Sequence, residues 1–114
     1  PEGVLAFEAA VLRRAGLDFA AVPPRYRTPY FSHVFSSGYS AGYYSYLWAE
    51  VLDADAVEWF RGNGGLTRAN GDRLRRTVLA RGGSRDAMES FVAFRGRAPQ
   101  LDALLRHNGM ATPL

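Results

Sequence analysis

YSAGYYSYLWAEVLDADAVEWFRGNGG, residues 39–65, decides how this chain of 114 residues folds. Leu47, Val51 and Leu52 recur at helical spacing and no period-two alternation survives. The run therefore reads as a helix from about Ser40 to Phe60. The RGNGG that follows, residues 61–65, stops it. Gly42 inside that helix costs about 1 kcal/mol against alanine, so its presence predicts a neighbour packed closely on the backbone. Tyr39, Tyr43 and Tyr46 lie at i, i+4 and i+7 and share one face of such a helix. Tyr44 and Trp48 point elsewhere, as on a helix that has partners on several sides.

Working upstream, residues 3–15 carry Val4, Leu5, Phe7, Glu8, Val11 and Leu12 at helical spacing, and Gly16 stands where a terminating glycine belongs. Paired prolines in LDFAAVPPRYRTP forbid helix there, so an extended connector should carry Tyr26 and Tyr30 into the aromatic segment. A short turn of helix over Phe31–Phe35 breaks at Ser36-Ser37-Gly38. Downstream, Thr67 is a candidate N-cap for a helix over about 68–81, closed by Gly82-Gly83. Ser84 is the expected cap of a helix over about 85–95, ended by Gly96. Pro99 suits the first turn of a last helix reaching His107, with Gly109 closing it. The fold class is all-α, a short helical bundle. It divides into a helix and connector (1–22), a Pro-rich entry, Gly loop and Tyr-rich helix (23–65), and C-terminal helices (66–114).

Composition narrows the function. The chain is 47% hydrophobic and 22% charged, ordinary for one globular domain. It has no cysteine, which excludes disulfides and thiolate metal sites. All 14 basic residues are arginine, spread along the chain, and the net charge is only +3. A solvated, ion-paired surface explains them better than a nucleic-acid interface does. No apolar run approaches the roughly 20 residues that span a bilayer, and the start lacks the pattern of a signal peptide. The expected setting is therefore cytoplasmic, with no membrane partner. The opening, without methionine and as if inside an element, reads as that of a fragment.

The chemistry is concentrated in the phenols. All six tyrosines lie between residues 26 and 46, around a glycine-broken turn that can bring His33 back toward Tyr39. A buried phenol needs a hydrogen-bond partner, so a core does not favour such crowding. Two readings stand: the rings fill a helical interface, or their hydroxyls converge on a polar ligand and donate to a carbonyl oxygen that gains negative charge. Metal chemistry finds no support. The histidines stand only at 33 and 107, no H-E-x-x-H exists, and Asp53 and Asp55 diverge on a helix. No G-x-S-x-G or G-K-[ST] motif is present.

VPPRYRTPYFSHVFSSGYSAGYYSYLWAEVLDADAVEWF resembles the C-terminal region of bacterial peptidyl-dipeptidases, zinc metallopeptidases grouped with thimet oligopeptidase and oligopeptidase A. The resemblance continues through NGGLTRANGDRLRRTVLARGGSRDAMESFVAFRGRAPQLDALLRHNGM and covers nearly the whole chain. It implies a C-terminal piece of a larger helical enzyme with a deep channel, whose zinc is held by an upstream H-E-x-x-H and a further Glu. It implies that His33 binds the substrate backbone, that Tyr39 sits on a glycine loop and reaches the substrate, and that Tyr46 donates to the oxyanion. Tyr43 would line the same wall more weakly. The spacing of six from His33 to Tyr39 is similar to that of the peptidyl-dipeptidase branch.

The zinc motif itself is missing from the sequence. The resemblance therefore implies peptide hydrolysis, releasing C-terminal dipeptides, by a parent enzyme that supplies the zinc. The isolated chain should be inactive. Its partners would be a peptide substrate, the remainder of the peptidase and, through uncovered aromatic surface, other copies of itself. Two alternatives remain at this point. One is a stand-alone helical module that binds proteins or peptides through Tyr and Trp. The other is a weak single-stranded nucleic-acid binder.

Overall fold

The computed structural model describes residues 3–110. Among these the structure is all helix and turn, with no strand. Six α-helices follow in order: α1 Val4–Arg14, α2 Ser32–Phe35, α3 Ser45–Gly62, α4 Arg68–Leu74, α5 Ala87–Arg95 and α6 Asp102–His107. A 3₁₀ turn precedes α2 at Thr28–Tyr30, and a π-helical segment, Arg75–Leu79, continues α4. The chain divides between Tyr43 and Tyr44 into two compact units.

In the first unit α1 ends as its glycine requires: Gly16 adopts φ +69°, open to glycine and strained for other residues. No residue of α1 is buried, and Val4, Leu5 and Phe7 are exposed. What fixes the connector is a carboxylate. Glu8 accepts from Arg27 Nη1 (2.8 Å) and from the backbone N–H and Oγ1 of Thr28 (both 3.2 Å). The bond from Arg27 comes first among the causes that hold the Glu8 carboxyl below its ordinary pKa.

The second unit has a small apolar core of Val51, Phe91, Phe94, Ala103 and Leu104. Trp59 and Phe60 of α3 close on Phe94, at ring separations of 4.7 and 5.8 Å. Beside them lies a wholly buried charge, Asp55, at 0% exposure. Its carboxylate accepts from Arg95 Nε and from both terminal nitrogens of Arg97, each at 2.7 Å, and from the Gln100 backbone N–H at 3.1 Å. Burial alone would push the Asp55 carboxyl up. The bonds from Arg97, then Arg95, then Gln100 outweigh it and hold the group below its ordinary value. One side chain of α3 thus ties down the end of α5 and the bend that leads to α6. Arg73 adds a second tie by donating to the last carbonyls of α5, Phe94 (2.9 Å) and Ala93 (3.3 Å), while its guanidinium lies 5.2 Å from the Trp59 ring centre.

The structure differs from the sequence reading at several elements. α3 begins at Ser45, not Ser40, because Ala41 takes a positive φ of 52° and the backbone turns. The helix over 68–81 starts on the Thr67 cap as expected, with Thr67 Oγ1 accepting from Asn70 N–H at 3.3 Å. It then widens into the π segment, where Ala80 N–H reaches back to the Arg75 carbonyl at 2.7 Å. The cap of α5 is Asp86, not Ser84. The Asp86 carboxylate takes two helix N–H groups, Met88 (2.8 Å) and Glu89 (3.2 Å), whereas Ser84 Oγ turns back to the Arg81 carbonyl. α6 begins at Asp102 rather than near Pro99, because Arg97 and the Gln100 amide are engaged by Asp55.

Candidate functional site

The prolines and the Glu8 tie lead residues 23–27 into the 3₁₀ turn Thr28–Tyr30 and so to α2, and there the aromatic residues gather. Tyr26 stacks on Phe31 at 5.1 Å, and Phe31 meets the Tyr43 ring edge-on at 4.8 Å. His33 stands among three phenol-bearing rings: Tyr43 at 5.7 Å, Tyr39 at 5.9 Å and Tyr26 at 6.1 Å. Tyr39 and Tyr43 also touch edge-to-face at 6.3 Å. Edge-to-face packing suits the aromatic quadrupole and adds about 0.5–1.5 kcal/mol per pair beyond burial. His33, Tyr39 and Tyr43 are all half-buried.

The loop that returns Tyr39 to His33 is tied to α2 by its own serines. Ser37 Oγ donates to the His33 carbonyl, and Ser40 Oγ donates to the Val34 carbonyl at 2.8 Å. Gly42 N–H closes a turn on the Tyr39 carbonyl at 3.0 Å. A Cβ at Gly42 would meet only the Ser40 carbonyl at 3.7 Å and the Tyr39 carbonyl at 4.0 Å, both ordinary contacts. The expected close neighbour at Gly42 is therefore absent among the described residues; the glycine sits in a turn, not inside a helix.

This geometry corrects the shared face. Tyr39 and Tyr43 lie in the turn before α3, while Tyr46 lies in its first turn, so helical spacing does not relate the three. The structure brings His33, Tyr39 and Tyr43 together in the first unit. Tyr46 belongs to the second, on α3, and is 46% exposed. Tyr26 completes the cluster around His33, and the Pro-rich connector that carries it is the signal in the sequence that points there. Asp55 escaped the sequence reading as anything but a poor metal ligand. Its position at i+4 from Val51 and i−4 from Trp59, an acid on an apolar stripe in an arginine-rich chain, is the signal for a buried ion pair.

Among the described residues no group of three or more His, Asp or Glu side chains could hold a metal ion. His33 is ringed by tyrosines and lacks carboxylate neighbours in that cluster, and the Asp55 carboxylate is saturated by arginine. The donor set here does not fit a zinc site. No described helix is long and apolar enough to cross a membrane.

Comparison with known proteins supplies the context. Residues 4–110 match the family model described as Peptidase family M3. The chain is 48% identical over 109 residues to a dipeptidyl carboxypeptidase of Salmonella typhimurium, covering 96% of this chain and 16% of that relative. It is 46% identical over 104 residues to the Escherichia coli dipeptidyl carboxypeptidase, covering 91% of this chain and 15% of that relative. An oligopeptidase A of Haemophilus influenzae is 50% identical over 103 residues, 90% of this chain and 14% of that relative. The chain therefore spans about a sixth of the length of such curated relatives. The aromatic cluster and the helices that follow it in the chain lie inside the matched stretch, and the chain belongs to peptidase family M3.

Proposed function

We propose that residues 1–114 form a C-terminal piece of the catalytic domain of a zinc-dependent, cytoplasmic peptidyl-dipeptidase, and that they supply one wall of its peptide channel. The observation that carries this reading is the identity of 46–48% over more than nine-tenths of the chain to enzymes named dipeptidyl carboxypeptidase. The zinc would be held by polypeptide outside these residues, since the donors present here do not fit it.

Within that wall His33 holds the backbone of the bound peptide, and its ring is oriented by edge contacts from Tyr39 and Tyr43. Tyr39, on the serine-tied loop, reaches the substrate, and Tyr43 backs it. Tyr46 donates its phenol proton in a hydrogen bond to the scissile carbonyl oxygen as negative charge develops there. A donor aimed at charge that appears only in the transition state raises kcat and leaves ground-state binding little changed. The residues of this chain bind and polarise. The H-E-x-x-H that would hold the metal lies outside them, so the isolated chain is inactive.

The test is Tyr46→Phe in an enzyme that contains the whole catalytic domain. Loss of one oxyanion donor should lower kcat by about 10²–10³ with KM nearly unchanged. His33→Ala should instead act mainly on KM. Turnover by Tyr46→Phe equal to that of the parent would remove Tyr46 from the reaction.

A further inference from the structure

An enzyme that releases C-terminal dipeptides must measure its cut from the end of the peptide. Its site therefore needs a group that reads the terminal carboxylate at a fixed distance from the backbone contacts. Arginine suits that task, because its planar fork meets a carboxylate with two parallel hydrogen bonds and its charge does not titrate.

The first unit holds four arginines, Arg13, Arg14, Arg25 and Arg27. Arg13 and Arg14 stand in the last turn of α1. Arg27 is committed to Glu8, with Nη1 2.8 Å from the carboxylate. Arg25 is the one of the four that meets the aromatic cluster, its guanidinium 5.5 Å from the centre of the Tyr26 ring. It is exposed and pairs with no carboxylate among the described residues. A ring face steadies a guanidinium without occupying the N–H edge that a carboxylate needs. Tyr26 leads on to His33, ring centre to ring centre 6.1 Å. Two extended residues span about 7 Å, the scale of these separations.

We infer that Arg25 is a specificity-determining residue for the C-terminal end of the peptide. Its guanidinium receives the terminal carboxylate of a peptide whose backbone lies on His33. The inference rests on the function proposed above for the identity of the ligand and is independent of the role given to Tyr46.

The test compares two peptides in the S. typhimurium dipeptidyl carboxypeptidase with this chain spliced in place of its matched region. One is an N-acetylated tetrapeptide with a free C-terminal carboxylate; the other is the same peptide ending in an amide. The free acid should be the better substrate. Arg25→Gln should lower kcat/KM for the free acid by about 10- to 100-fold, chiefly through KM, as loss of a charged hydrogen-bonded contact does. The amide should change little, so the acid-to-amide ratio falls by the same factor. Arg25→Lys keeps the charge and loses the fork, and should recover part of that ratio. Arg13→Gln, at an exposed arginine of the same unit, should leave the ratio where it was. Calorimetric titration with a free dipeptide and with its amide gives the same comparison without turnover. A ratio unmoved by Arg25→Gln overturns the inference, in turnover or in binding. So does an equal loss on both peptides, which marks a merely structural role, and so does an absence of dipeptide binding. A spliced enzyme that cuts neither peptide but still binds the free dipeptide through Arg25 counts against the piece reading and supports Arg25.

Discussion

Replacing Asp55 with asparagine removes one negative charge and almost no volume. The structure sets what that should cost. Asp55 is fully buried and accepts four hydrogen bonds, three of them from guanidinium groups. Its partners are largely covered as well, Arg95 at 17% and Arg97 at 31% side-chain exposure, so water can restore only part of what they lose. Breaking a buried ion pair from one side costs roughly 3–5 kcal/mol. Asparagine keeps one acceptor oxygen, so the expected loss lies toward the lower end, about 3 kcal/mol. That is a large share of the 5–15 kcal/mol typical of a whole domain. Urea unfolding of the chain, followed by the fluorescence of Trp59 against Phe94, measures it.

The same carboxylate fixes the acid response. Its pKa in the folded chain lies below the ordinary 3.8. The stabilisation is therefore fully present above the unfolded value and is lost as pH falls through the folded one. Acid unfolding of the parent chain should steepen below about pH 4, and Asp55→Asn should flatten that limb. A variant within 0.5 kcal/mol of the parent and with an unchanged acid limb would refute the view that this ion cluster organises the second unit.

Further outcomes follow from local features. Asp86→Ala removes the acceptor for two N–H groups at the start of α5 and should lower stability by about 0.5–2 kcal/mol in the same urea assay. Gly96→Ala meets no atom within 4 Å but must hold φ at +87°, so about 1 kcal/mol or more should be lost with no change in core packing, as judged by an unaltered near-UV spectrum. Arg73→Lys keeps the charge but not the planar fork that serves both α5 carbonyls and the Trp59 face. A loss of about 1–2 kcal/mol, with a shift in Trp59 emission, is expected.

Helix class and most helix ends could be read from residues with a single dominant role. Gly16 and Gly96 take the left-handed conformation that ends α1 and α5, and Thr67 caps α4. The proximity of His33 to Tyr39 was also legible, because Ser36-Ser37-Gly38 demanded a turn between them. Other features depended on partners far away in the chain. Asp55 meets Arg95, Arg97 and Gln100 some 40–45 positions later, and although its apolar stripe marks it as buried, nothing local names those partners. The π segment carries no motif, since Arg75–Leu79 has ordinary helix-compatible composition. At the start of α3 the pattern of apolar residues ran on into the loop, and period alone could not reveal that Ala41 would leave the helical region.

That turn at Ala41 has a consequence for how the phenols are aimed. An unbroken helix would make their bearings a single variable, and any roll of its axis would swing all of them at once. With the backbone redirected at Ala41, between Tyr39 and Tyr43, the serine anchors on α2 govern Tyr39, the edge contacts of Phe31 and His33 hold Tyr43, and the seat of α3 on its own core governs Tyr46. Altering Ser37 or Ser40 should therefore re-aim Tyr39 without disturbing Tyr46. On the reading proposed above, the channel wall would carry separately adjustable sights.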